Sequence, residues 1–142
     1  MVAALPAGVR PVPVAYADWP AARGPSPSVA LALAALSPSR LLLVDTFDKL
    51  SKNLLAHLSV DSLWELREQA QAQQVELVLA GSLNAAMIAE LLPLGPAWIG
   101  VRGAACRGTR EGRIETGLVK TLAAHVHGHV AASQHAALDA PI

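Results

Sequence analysis

A single cysteine, Cys106, stands among 142 residues, which excludes an internal disulfide and fits a reducing compartment. Net charge is also missing. Eleven basic side chains balance eleven acidic ones, so no global field would hold nucleic acid or an anionic membrane, and any anion site must be local. Long apolar runs are absent as well: the greasy stretches are broken by SPSR at 37–40, by Gly81-Ser82, and by Pro93 and Gly95-Pro96. None reaches the roughly 18 uninterrupted residues of a membrane span. The amino-terminal MVAALPAGVR has no basic start and does not read as a signal peptide, so the cytoplasm is the expected compartment. No GxGxxG follows the first strand-like run and no GxxxxGKS/T occurs anywhere, which removes the usual dinucleotide and P-loop signatures.

What is present is a compact composition, 53% hydrophobic and 15% charged, enough for one domain over residues 1–142 with a disordered tail expected from about residue 133. Four apolar runs of strand length recur: PVPVAYA (11–17), RLLLVD (40–45), VELVLAG (75–81) and AWIGVRG (97–103). Each is followed by a helical pattern. Residues 26–36 open on Ser-Pro-Ser, 60–74 carry Leu63, Leu66 and Ala70 at helical spacing, 84–94 open on an Asn cap, and 115–132 are Ala-rich and amphipathic. Four βα units predict an α/β fold with a parallel sheet, and continuous runs such as LLLV and LVLA predict burial on both faces. An open doubly wound sheet fits the length. A closed (β/α)₈ barrel needs eight units and about 250 residues, so four units would make half of one.

The charged groups gather at strand ends. LLLVDTFDKLSK runs from apolar residues into Asp45, Asp48, Lys49 and Lys52. One reading is an acid/base pair, Asp45 ending the second strand and Lys49 reaching back from the loop, with a lysine that can attack a carbonyl once it loses its proton. The other is a helix-capping Asp followed by surface lysines. Gly81-Ser82 follows the third strand and RGAACRGTREGR the fourth, with Arg102, Arg107, Arg110 and Arg113 as counter-charges and Gly103 and Gly108 as points of close backbone approach. Such loops hold phosphate in many barrels, although a solvated basic loop has the same composition. Tyr16, Asp18 and Trp19 close the first strand, either facing a ligand or forming a polar strand end with aromatic packing. His125, His127 and His129 do not make a metal site: 127 is off the face that 125 and 129 share, and no carboxylate lies nearby. Cys106 has no base to activate it, since arginine cannot accept a proton.

VAYADW, LLLVDTFDKLSKNLLAHLS, LAGSL and WIGVRGAACRGTREGRI, in that order, resemble the (5-formylfuran-3-yl)methyl phosphate synthase family of methanofuran biosynthesis, a branch of one-carbon metabolism. The resemblance runs from Pro11 to about Leu122. It implies a (β/α)₈ TIM-type barrel and a carbon-oxygen lyase that joins two molecules of glyceraldehyde 3-phosphate by way of a lysine Schiff base, with no metal or other cofactor. By motif, Asp45 and Lys49 match the family's active-site Asp and Lys at the end of the sixth strand, and Gly81-Ser82 and Gly103 to Gly108 match its phosphate loops. The family's Schiff-base lysine and proton-accepting lysine lie on earlier strands. The chain is therefore expected to be the C-terminal half of the barrel, pairing with itself or with a missing N-terminal half. The alternative expectation is a non-catalytic phosphate-binding or assembly half-barrel.

Overall fold

The computed structural model describes residues 5–50 and 52–138, with side chains described as far as residue 128. The first four residues, on which the reading of the amino terminus partly falls, and 139–142 of the expected tail lie outside the described residues, as does the side chain of His129. Four strands, β1 (Val14–Tyr16), β2 (Leu41–Asp45), β3 (Glu76–Leu79) and β4 (Trp98–Ile99), alternate with helices α1 (Trp19–Ala22), α2 (Pro27–Leu36), α3 (Val60–Ala72), α4 (Ala85–Leu91) and α5 (Thr116–Leu138). The strands form one parallel sheet in the order β1-β2-β3-β4.

Local chemistry sets most of the boundaries. β1 begins at Val14 rather than Pro11, because Pro11 and Pro13 have no N–H for the ladder, while the Pro13 carbonyl still accepts from the Leu43 N–H at 3.0 Å. Ser26 caps α2 with Pro27 in its first turn, Ser59 caps α3 through the Ser62 N–H at 3.1 Å, and Asn84 caps α4 through the Met87 N–H at 3.0 Å. α4 stops at Leu91, three residues earlier than its pattern suggests. Leu92–Leu94 tighten into a 3₁₀ turn around Pro93, and Gly95 ends it at φ 64, a left-handed conformation that glycine adopts without steric cost. α5 continues through residue 138, past the point where its sequence pattern ends and into the segment expected to be disordered.

The expectation of burial on both sheet faces is corrected. In register across the sheet, Ala15, Val44 and Leu79 form one row and Leu42 and Leu77 another, all between 0% and 4% exposed. They pack in one core with Ala30, Leu31 and Ala34 of α2, Leu63 and Leu66 of α3, and Ile88 and Leu91 of α4. The opposite face carries the row Val14, Leu43, Val78 and Trp98. The first three are only half-buried and Trp98 is 68% exposed. Unbroken apolar runs remain apolar on both faces, but among the described residues only one face has helices over it. Leu42→Ala should cost about 2–5 kcal/mol by emptying a filled site under α2, whereas Leu43→Ala on the bare face should cost much less. Denaturant unfolding of the two variants checks the difference.

Candidate active site

Asp45 is the last residue of β2, and its side chain leaves on the bare face, beside Tyr16 in the ladder. Its Oδ1 accepts from the Thr46 N–H at 2.8 Å, and its Oδ2 takes the Lys49 ammonium at 2.5 Å. Both side chains of this ion pair are less than one-third exposed, so water screens the pair only in part. The loop that brings Lys49 back over the strand end is held at several points. Asp18 accepts the Phe47 N–H at 2.7 Å and the Asp48 N–H at 2.9 Å, the Asp48 side chain accepts the Leu50 N–H at 2.9 Å, and Ser82 Oγ donates to the Lys49 carbonyl at 3.4 Å.

The pair opens into a cleft of about 660 Å³ at the carboxyl ends of β2, β3 and β4, where parallel α/β sheets place their ligands. The loop after β3 contributes Ala80, Gly81 and Ser82; the loop after β4 contributes Gly100, Arg102 and Gly103; and Arg110 with Glu111 closes the side. Arg102 Nε donates to the Arg110 carbonyl at 2.9 Å, which ties the two arginine-bearing segments together. Lys49, Arg102 and Arg110 are therefore three cations on one wall-lined opening, with Asp45 and Glu111 as the acidic groups. Such a cleft suits an anionic ligand carrying a group that an acid/base pair can act on.

Six of the site residues expected from sequence meet here: Asp45, Lys49, Gly81, Ser82, Arg102 and Gly103. Arg107 and Gly108 do not. Arg107 is bidentate to Glu115, at 3.0 and 3.1 Å, with its side chain 80% exposed, and this pairing raises its guanidinium pKa. The reason is a hairpin-like bridge between Cys106 and Ile114, which turns the intervening chain back and sets Arg107 against Glu115 while Arg110 faces the cleft. Gly108, at φ 80, serves that turn. Gly81 is needed for a reason other than ligand approach. At φ 113 it is in a region that side chains rarely enter, and a Cβ there would lie 3.1 Å from both Thr46 and Leu54, so the glycine lets the β3 loop pass under the β2 loop.

Tyr16, Asp18 and Trp19 do not line the cleft. Tyr16 packs edge-on against Phe47, with ring centroids 5.6 Å apart, and Trp19 begins the single turn of α1. Lys52 is exposed and precedes the next 3₁₀ turn, which starts at Leu54. Cys106 is buried, with Sγ directed at the Arg110 carbonyl at 3.8 Å. His125 and His127 are exposed on α5, and no three His, Cys, Asp or Glu residues gather into a metal-binding group among the described residues. No helix among them is long and apolar enough to cross a membrane. Gly100 was missed by sequence reasoning. Its signal was a glycine two residues ahead of Arg102 in WIGVRG, where a Cβ would approach Ala80 to 3.2 Å.

Fold and cleft together define the class, an α/β protein of consecutive parallel βα units with a cationic, acid/base-bearing opening at the strand ends. The chain belongs to the 4-HFC-P synthase family, whose model matches residues 4–123. It is 36% identical over 113 residues to the (5-formylfuran-3-yl)methyl phosphate synthase of Methanococcus maripaludis strain C5, covering 78% of this chain and 48% of that one. The proteins of the same name from Methanopyrus kandleri and Methanosarcina mazei are 36% identical over 116 residues and 34% over 109, covering 80% and 77% of this chain. The chain spans about half the length of these relatives, 49% and 47% of the latter two.

Proposed function

We propose that this chain is the C-terminal half of a (β/α)₈ barrel, a carbon-oxygen lyase that converts two glyceraldehyde 3-phosphate molecules into (5-formylfuran-3-yl)methyl phosphate for methanofuran-type cofactor biosynthesis in the cytoplasm. The observation that carries the reading is the Asp45–Lys49 pair at the mouth of a cleft shared with Ser82, Arg102 and Arg110. The chemistry asks for such a set. Two triose phosphates, C₆H₁₄O₁₂P₂ together, give the furan phosphate C₆H₇O₆P with loss of one phosphate and two waters. Carbon–carbon bond formation needs an amine to activate a carbonyl, each elimination needs a proton moved, and at least one phosphate must be anchored throughout. Asp45 and Lys49 are the proton-transfer pair, and Arg102 and Arg110 with Ser82 and Gly103 hold one phosphate.

The Schiff-base lysine belongs to the N-terminal half of the barrel. Support comes from the names and lengths of the relatives, from the unreversed strand order β1-β2-β3-β4 and from the helices packed on one face only. A doubly wound sheet would reverse order and cover both faces, whereas a barrel keeps its helices outside and its inner face for packing within the ring. The row Val14, Leu43, Val78 and Trp98 is then the inner face, and β1 and β4 are the edges at which the missing half, or a second copy of this chain, would pair.

Glyceraldehyde 3-phosphate should bind the cleft, and Gly103→Asp should weaken that binding at least tenfold. Gly103 is the position of choice because its nearest neighbour to an added Cβ is Arg110 Cβ at an ordinary 3.7 Å, so the fold accepts a side chain while a negative charge enters the anion site. Calorimetric titration of both proteins checks this. Equal affinity in the mutant would remove the phosphate assignment.

A further inference from the structure

Asp18 lies outside the cleft, yet it makes two short contacts to the loop that carries Lys49. Its side chain is buried in the strand-end layer, 8% exposed, at the start of α1. One carboxylate oxygen accepts the Phe47 N–H at 2.7 Å and the other the Asp48 N–H at 2.9 Å, across 29 and 30 residues of sequence. Two consecutive backbone N–H groups held by a single carboxylate fix the direction in which the chain leaves β2. Asp48 then accepts the Leu50 N–H at 2.9 Å, so the residue between them, Lys49, is clamped on both sides and delivered to Asp45.

From this geometry we infer that Asp18 is a positioning residue, which acts through the Phe47–Asp48 backbone to hold Lys49 against Asp45. The inference builds on the proton-transfer role proposed above for that pair. Burial pushes the Asp18 carboxyl pKa up, but the hydrogen bonds from Phe47, Asp48 and its own backbone, with the nearby His57, outweigh this and leave it below the ordinary carboxylate value. A lowered carboxyl pKa means that the clamp is complete at neutral pH and is lost only as pH falls through that lowered value. The titratable side chain that acts on it across space is His57, and Asp48 meets it through its backbone N–H. A carboxamide cannot replace the carboxylate here, because one of its two ends is itself a donor and would face an N–H.

The test reads Lys49 directly, by competitive acetylation of the whole chain with peptide mass spectrometry, using exposed Lys52 as the internal reference. In Asp18→Asn the Lys49/Lys52 labelling ratio should rise at least threefold, since the amine leaves its carboxylate, while the ratio in the wild-type protein stays low. A ratio unchanged in a folded Asp18→Asn protein would overturn the proposal. Should that variant not fold, the wild-type protein still decides: the Phe47 and Asp48 amide proton shifts should titrate together at one midpoint below the usual carboxylate range. Shifts that move separately, or not at all, would overturn it. Labelling and shifts report geometry whether or not furan formation occurs, so failure of the clamp and failure of the proposed reaction are separable. In the assembled enzyme, Asp18→Asn should lower kcat at least tenfold with KM for the triose phosphate nearly unchanged, and a loss confined to KM would contradict it.

Discussion

Lys49→Ala should reduce turnover of the assembled synthase by about 10² or more, the usual contribution of a positioned proton-transfer group, while Lys52→Ala changes it less than twofold. The two lysines are three residues apart in one loop, so net charge and composition do not separate them. Geometry does. Lys49 is under one-third exposed, paired with Asp45 and on the cleft wall, whereas Lys52 is exposed ahead of the 3₁₀ turn. The effect should fall on kcat, because the ammonium is engaged by Asp45 rather than dedicated to the phosphate; a lysine that served only as an anion anchor would raise KM instead. Steady-state kinetics of the two variants, with a matched circular dichroism spectrum, gives the answer. Equal losses would mean that the loop presents both amines and that the Asp45 pairing is incidental.

The unit structure was legible because each unit carries its own punctuation. Ser26-Pro27 and Asn84 announce helix starts, and Gly81 and Gly95 stand at positive φ, where side chains are rare. Asp45 and Lys49 could be singled out because an apolar run ended on ionisable residues, and the cleft could be placed by the glycines and arginines after β3 and β4. The bare face could not be seen: Leu43 and Val78 are as apolar as Leu42 and Leu77, and what covers an apolar side chain is not written in its own segment. The four arginines of RGAACRGTREGR were equivalent in composition. Only the bridge of Cys106 to Ile114 and the pull of Glu115 separate Arg107, outside, from Arg102 and Arg110, inside. Asp18 read as a polar strand end because its partners lie about thirty residues downstream, in a loop whose direction is a tertiary outcome.

Alone, this chain should make no detectable furan phosphate, and supplying the complementary half should raise the rate by about 10³ or more, since the Schiff-base nucleophile and proton acceptor proposed for that half would be supplied together. The physical basis is the open sheet. Among the described residues, β1 and β4 leave strand N–H and C=O groups without ladder partners at both edges, and Val14, Leu43, Val78 and Trp98 leave an apolar face with no helix over it. In the proposed barrel, four further parallel strands that close a ring would cover both. A second copy of this chain would repair them too, but it would bring another Asp45–Lys49 pair and no early-strand lysine, so self-pairing should give an assembled and silent protein. The measurement that tests the account most directly is an assay of (5-formylfuran-3-yl)methyl phosphate formation from glyceraldehyde 3-phosphate. It compares this chain alone, the separately expressed N-terminal half of a full-length relative alone, and the two together. Product should form only from the mixture and be abolished when Lys49→Ala replaces the wild-type chain; product from this chain alone would contradict the half-barrel proposal, because a residue here would then form the Schiff base and four units would suffice.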